Sequence, residues 1–149
     1  MMKKIVLLTV LLTTVLMAKP NTVVTTISDE TRDLFKAEMN FIKTGMDEIL
    51  YYMASGNDAK VVEIAGQLRD SFIFTRSLKP RNVEELKKLP KEFMLVDREL
   101  HGGAADLANA AEFNDKEAMR ENYFKMVNSC VKCHATFATH RFSHFLEEK

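Results

Sequence analysis

The chain has 149 residues, 21 basic and 21 acidic, so its formal net charge is zero. That length suits one domain with a sizeable core, and the absence of a basic stripe or an acidic bias argues against nucleic-acid and cationic partners. Five glycines and three prolines, against plentiful Met, Leu, Ala, Glu and Lys, favour a helical domain over a sandwich or barrel.

Residues 1–18, "MMKKIVLLTVLLTTVLMA", begin with Lys3 and Lys4, continue as an apolar run from Ile5 to Met17 and end on Ala18. A charged start, hydrophobic middle and small-residue end read as a secretory signal peptide. The run is short for a membrane span, which needs about 20 apolar residues; an uncleaved anchor is the alternative. No cysteine lies near the cut, which argues against a lipoprotein. The mature domain is expected over residues 19–149, outside the cytoplasm.

"NTVVTTISDE" reads as an extended lead-in to a first helix, with Ser28 or Asp29 as N-cap and Glu30 in its first turn. Phe35, Met39, Ile42, Met46, Ile49 and Met53 step by four and three, one helical stripe ending near Ala54. "SGND" breaks it. A second helix is predicted from about Asp58 to Leu78, with Val61, Ala65, Leu68 and Phe72 on one face. "NVEELKKLPKE" reads as part of a solvated polar connection. A third helix is predicted from about Lys91 to Phe113. Gly102 and Gly103 either weaken it by about 1 kcal/mol each relative to Ala or permit close packing. "FND" turns the chain into a fourth helix, starting near Asn114 or Asp115 and continuing past His134. Four amphipathic helices with mostly short turns predict an all-α, antiparallel up-down four-helix bundle.

Both cysteines fall in "CVKCH", residues 130–134. Cys-x-x-Cys-His is the attachment signal for c-type haem. Two thiols three residues apart on a helix share a face and can form thioethers with two vinyl groups of one porphyrin. The adjacent His134 can reach the iron from the same side. A zinc site would need more ligands, and a thioredoxin-like pair expects an α/β pattern. One covalent haem c is therefore expected on Cys130 and Cys133.

No Met follows the motif, so any Met ligand must come from upstream. With "CVKCHATF" on the last helix, "HGGAADLANAAEFNDKEAMRENYFKMVNSC" before it and "TRDLFKAEM" on the first, the mature chain resembles the cytochrome c′ family of class II c-type cytochromes. Phe137 matches the family's aromatic residue after the motif, but Ala138 stands where the family carries Arg or Lys; Arg141 follows one turn on. The resemblance implies that His134 is the proximal iron ligand and that the sixth position faces the first helix.

In such a bundle His134 lies roughly 30 Å from the third turn, level with about residue 36 of the first helix. Phe35 and Met39 bracket that level. Aligning "TRDLFK" with the family puts Phe35 at the distal position, where it cannot ligate iron. Met39 is its rival, and His101 is a further candidate ligand, otherwise read as exposed or at the haem edge. Met and Phe at helical spacing also suit plain core packing. His140 and His144, four apart, offer a weak metal pair if one helix carries both; a solvated terminal turn is the alternative.

The function expected is periplasmic electron transfer with redox partner proteins. The alternative is a five-coordinate haem protein binding nitric oxide or carbon monoxide, and a structural or sensor module is a third reading. A homodimer is left open. No distal acid-base pair or nucleophile constellation is visible, so enzyme activity is not expected.

Overall fold

The computed structural model describes residues 27–71, 84–85 and 87–147. The leader expected over residues 1–18, most of the extended lead-in, and Phe72 to Leu78 of the second expected helix lie outside them. The described residues form α1 (Asp29–Ser55), α2 (Asp58–Arg69), α3 (Lys91–Glu112), α4 (Lys116–Phe137) and the short α5 (His144–Glu147), with no strand among them. No described helix is long and apolar enough to cross a membrane.

Local chemistry sets the helix ends. The Ser28 hydroxyl accepts the Thr31 N–H, with Asp29 and Glu30 in the first turn of α1. Gly56 ends α1 at φ 74°, a left-handed geometry that a side chain would strain. Asn57 caps α2 by accepting the Lys60 N–H at 3.2 Å. Asn114, at φ 58°, makes the α3–α4 turn, and the Asp115 carboxylate caps α4 through the Glu117 and Ala118 N–H groups.

α2 ends at Arg69, well short of the Leu78 expected from spacing. At that end one carbonyl gathers three contacts. The Leu68 carbonyl receives the Ser71 hydroxyl at 2.8 Å, the Ser71 N–H at 3.3 Å and His101 Nδ1 at 2.8 Å. In a continuing helix that carbonyl would instead accept the backbone N–H four residues on.

The apolar stripes meet in the core. Ile42, Met46 and Ile49 of α1, Val61, Ala65 and Leu68 of α2, and Leu100, Leu107, Met119 and Met126 of α3 and α4 pack in one cluster. Each large buried side chain there contributes roughly 1.5–3 kcal/mol. Gly103 supplies the close approach of α3 to α4: a Cβ there would lie 2.8 Å from Met126 Cγ. Gly102 faces open space, so it carries only the propensity cost.

Contacts between helices run in reverse order across α3 and α4: Asp106 pairs with Lys125 and Glu99 with Lys132. Lys116 pairs with Asp58, bringing the starts of α2 and α4 together. The Tyr123 hydroxyl donates to the Met46 carbonyl at 3.3 Å, joining α4 to α1.

A second, smaller cluster holds Ile27, Leu89, Phe93 and Phe137, with Phe35, Met94 and Cys133 against it. Of the charged residues in "NVEELKKLPKE", Glu84, Lys87, Lys88, Lys91 and Glu92 are exposed, as expected, while Glu85 is half-buried. Leu89 is buried there, and the Glu85 carboxylate accepts both the backbone N–H and the hydroxyl of Ser28 at 3.0 and 2.9 Å. The connection is thus fastened to the start of α1.

Candidate functional site

Along α4, Met119, Tyr123, Met126, Cys130, Cys133 and Phe137 repeat the four-and-three cadence of α1. The two cysteines therefore occupy core-facing positions of an amphipathic helix. Both are half-buried and unbridged. Cys130 lies against the larger core cluster and Cys133 against the smaller, aromatic one.

Burial raises both thiols. Cys133 is pushed up to about 12, with the negative charge of Asp97 and the neighbouring Cys130 adding to the effect; Cys130 is raised by burial. The pair also sits near the C-terminal end of α4, where the helix dipole disfavours an anion. This is the opposite of the exposed, electropositive setting that makes a reactive thiolate. Both thiols are thus held in the protonated form near neutral pH.

His134 is half-buried. Burial, then the Arg141 cation, lowers its pKa, so the imidazole is neutral near pH 7. The Phe142 ring stacks on it with centroids 4.2 Å apart and planes 17° apart. Among the described residues no side chain hydrogen-bonds a His134 ring nitrogen.

Phe35 contacts Phe93 at 5.5 Å, and Phe93 contacts Phe137 at 5.5 Å. The three rings link α1, α3 and α4 beside Cys133. Met39, half-buried, instead lies against the larger cluster that Cys130 joins. The structure thus gathers Phe35 with Cys133 and Phe137, and Met39 with the neighbours of Cys130. Two open grooves on the α3–α4 seam, centred on Glu99 and Lys132, are lined by neither cysteine nor by His134.

No protein-family model, curated protein or solved structure matches this chain.

Of the two placements expected for His101, exposed or at the haem edge, the exposed one does not hold. Its side chain is 12% exposed; Nδ1 lies 2.8 Å from the Leu68 carbonyl and Nε2 3.7 Å from Asp97. A carbonyl only accepts, so Nδ1 carries the proton. Burial pulls the ring's pKa down, but Asp97, the Leu68 carbonyl and Glu38 outweigh it and hold the pKa above its ordinary value. His140 and His144 do not share a helix: His140 is in the turn after α4 and His144 begins α5, and both are exposed. Among the described residues no group of three or more His, Cys, Asp or Glu side chains is arranged for a metal ion.

Sequence reading missed the buried acids. Glu38 is 1% exposed and Asp97 9%. A signal existed for each. Glu38 sits three residues after Phe35 and four before Ile42, in phase with the stripe, and Asp97 stands four residues before His101 on one helix face.

Proposed function

We propose that the chain is a monohaem c-type cytochrome of the cytochrome c′ type, an antiparallel four-helix bundle exported to the periplasm by residues 1–18 and working in electron transfer. One observation carries this reading: two unbridged, protonated thiols stand in the core-facing phase of α4 with a neutral imidazole one residue on. The reverse-order pairs across α3 and α4, and the pairing of the starts of α2 and α4, support the antiparallel arrangement.

The donor set fits a covalent haem. Cys130 and Cys133 supply the two thioether sulfurs, and His134 supplies an imidazole whose nitrogens are not taken by another side chain. The aromatic cluster beside Cys133 gives an apolar wall, which sets potential through burial and water exclusion. Bound there, the haem supplies a one-electron couple. The protein's own part is to hold the axial imidazole, keep water away from one side, and present the motif-bearing end of α4 to a redox partner.

A second reading has its own support. Phe35, which has no donor atom, shares the cluster with Cys133, whereas Met39 does not. An apolar distal wall without a ligand suits nitric oxide or carbon monoxide.

The test is a haem-stained denaturing gel of periplasmic protein, followed by absorption spectra with and without each gas. Covalent haem that survives acid-acetone, and is lost in Cys130→Ala with Cys133→Ala, is the expected result. A colourless wild-type protein rules the reading out. Spectra unchanged by either gas favour the electron carrier; a shifted reduced Soret band favours gas binding.

A further inference from the structure

The chain does not trail away after α4. Phe137 and Thr139 are buried, and the segment between them and α5 is closed by hydrogen bonds. The Ala138 N–H donates to the His134 carbonyl at 3.1 Å. The Ala138 carbonyl in turn accepts the Arg141 N–H at 2.9 Å and the Phe142 N–H at 3.2 Å. This turn folds the chain back on the last turn of α4 and brings the Phe142 ring flat against His134.

The geometry of that contact matters more than its existence. The ring nitrogens of an imidazole bond in the ring plane. A stacked neighbour covers a face and leaves both nitrogen edges open, whereas an edge-on neighbour would block one. Phe142 is 38% exposed, so its outer side meets water while its inner face covers His134. With no side chain among the described residues hydrogen-bonding the ring, stacking is the contact that fixes its plane. An aromatic contact of this kind is worth roughly two- to twelvefold in favour of one ring orientation.

We infer that Phe142 is a positioning residue for His134: the C-terminal turn holds the Phe142 ring against one face of the imidazole, fixes its plane and leaves its nitrogens free to ligate. This rests on the reading of His134 as the axial ligand. Phe142 belongs to neither core cluster, and its exposure makes it dispensable for the core.

The axial imidazole's orientation is read directly by the spread of the hyperfine-shifted haem methyl resonances in proton NMR of the oxidised holoprotein. The wild type should give one set. Phe142→Ala should retain covalent haem but give a shifted or multiple set, the minor orientations gaining about the factor above. Phe142→Leu, apolar but without a flat face, should behave like Phe142→Ala. Phe142→Tyr, which keeps the flat ring, should keep the wild-type pattern, and its contrast with Phe142→Leu separates a flat face from mere bulk. A haem-bearing Phe142→Ala protein with the wild-type pattern overturns this inference alone. Restoration by Phe142→Leu also overturns it, because bulk would then suffice. A wild-type protein without haem overturns the cytochrome reading, and this inference with it.

Discussion

His134 and His101 sit on neighbouring helices, the first half-buried and the second nearly covered, and their surroundings push them in opposite directions. At the end of α4, burial and the Arg141 cation favour the neutral ring of His134, and its one aromatic partner covers a face. In the middle of α3, His101 already has Nδ1 on the Leu68 carbonyl and Nε2 beside Asp97, and those acceptors favour the protonated ring. A metal ligand must be a neutral imidazole with a nitrogen to spare. The contrast makes His134 the candidate ligand and gives His101 a structural task, closing the end of α2 onto α3.

The comparison breaks most visibly at its ligand side. His134→Ala should abolish the normal Soret and visible bands and lower stability by about 2–3 kcal/mol, or roughly 10 °C in Tm for a domain this size, because the haem loses its axial tie to the bundle. His101→Gln should leave the absorption spectrum unchanged and cost only about 1 kcal/mol through the weakened bond to the Leu68 carbonyl. Absorption and thermal melting of the two variants check both statements. A spectrum that responds to His101 and not to His134 would invert the comparison and make His101 the iron ligand.

The reach of sequence reading differs between these regions for physical reasons. Around His134 the signal is local. The motif is five consecutive residues, and the stripes and caps that set the helices depend on neighbours three and four positions away. Ser28, Asp115 and the cadence from Phe35 to Met53 were legible for that reason. Around His101 the determinants are long-range. The Leu68 carbonyl at the end of α2 meets a histidine 33 positions later, and no pattern within "VVEIAGQLRDSF" encodes that contact. The burial of Glu38 and Asp97 was obscured by the rule that charged residues lie outside. Phe142 escaped notice because its contact with His134 needs the turn after α4, which also separates His140 from His144.

A medium-sized effect is expected on the distal side, where the comparison passes from the histidines to Phe35 and Met39. Phe35 is half-buried against Phe93, so Phe35→Ala should cost about 1–3 kcal/mol. With the bulky ring gone, the reduced protein should bind carbon monoxide or nitric oxide faster, as stopped-flow absorption would record. Met39→Ala should leave the spin state alone if Met39 only packs against the larger core. A low-spin wild type converted to high spin by Met39→Ala would instead give the iron a sulfur ligand and favour electron transfer.

The smallest effect is a pH slope, and it isolates the His101 half of the contrast. The folded pKa of His101 lies above its unfolded value, which is about 6.5. The folded state therefore binds the proton more tightly than the unfolded chain does. By linkage, the resulting stabilisation is fully present below about pH 6.5 and is lost as pH rises through the folded value. Asp97 acts on Cys133 through its charge, but His101 itself is held by Leu68, so the slope should appear in melting curves and not in the position of the Soret band expected of a haem-bearing protein. From about pH 6 to pH 8 the wild type should lose stability, and its Tm should fall. His101→Gln cannot titrate and should flatten that slope. Asp97→Asn should flatten it too, because the imidazolium loses its main counter-charge while its bond to Leu68 survives. If the wild type instead gains stability over this range, or if His101→Gln keeps the full slope, then the proton lies elsewhere and His101 is neutral. In that case the distinction drawn between the two histidines would rest on the Leu68 bond alone.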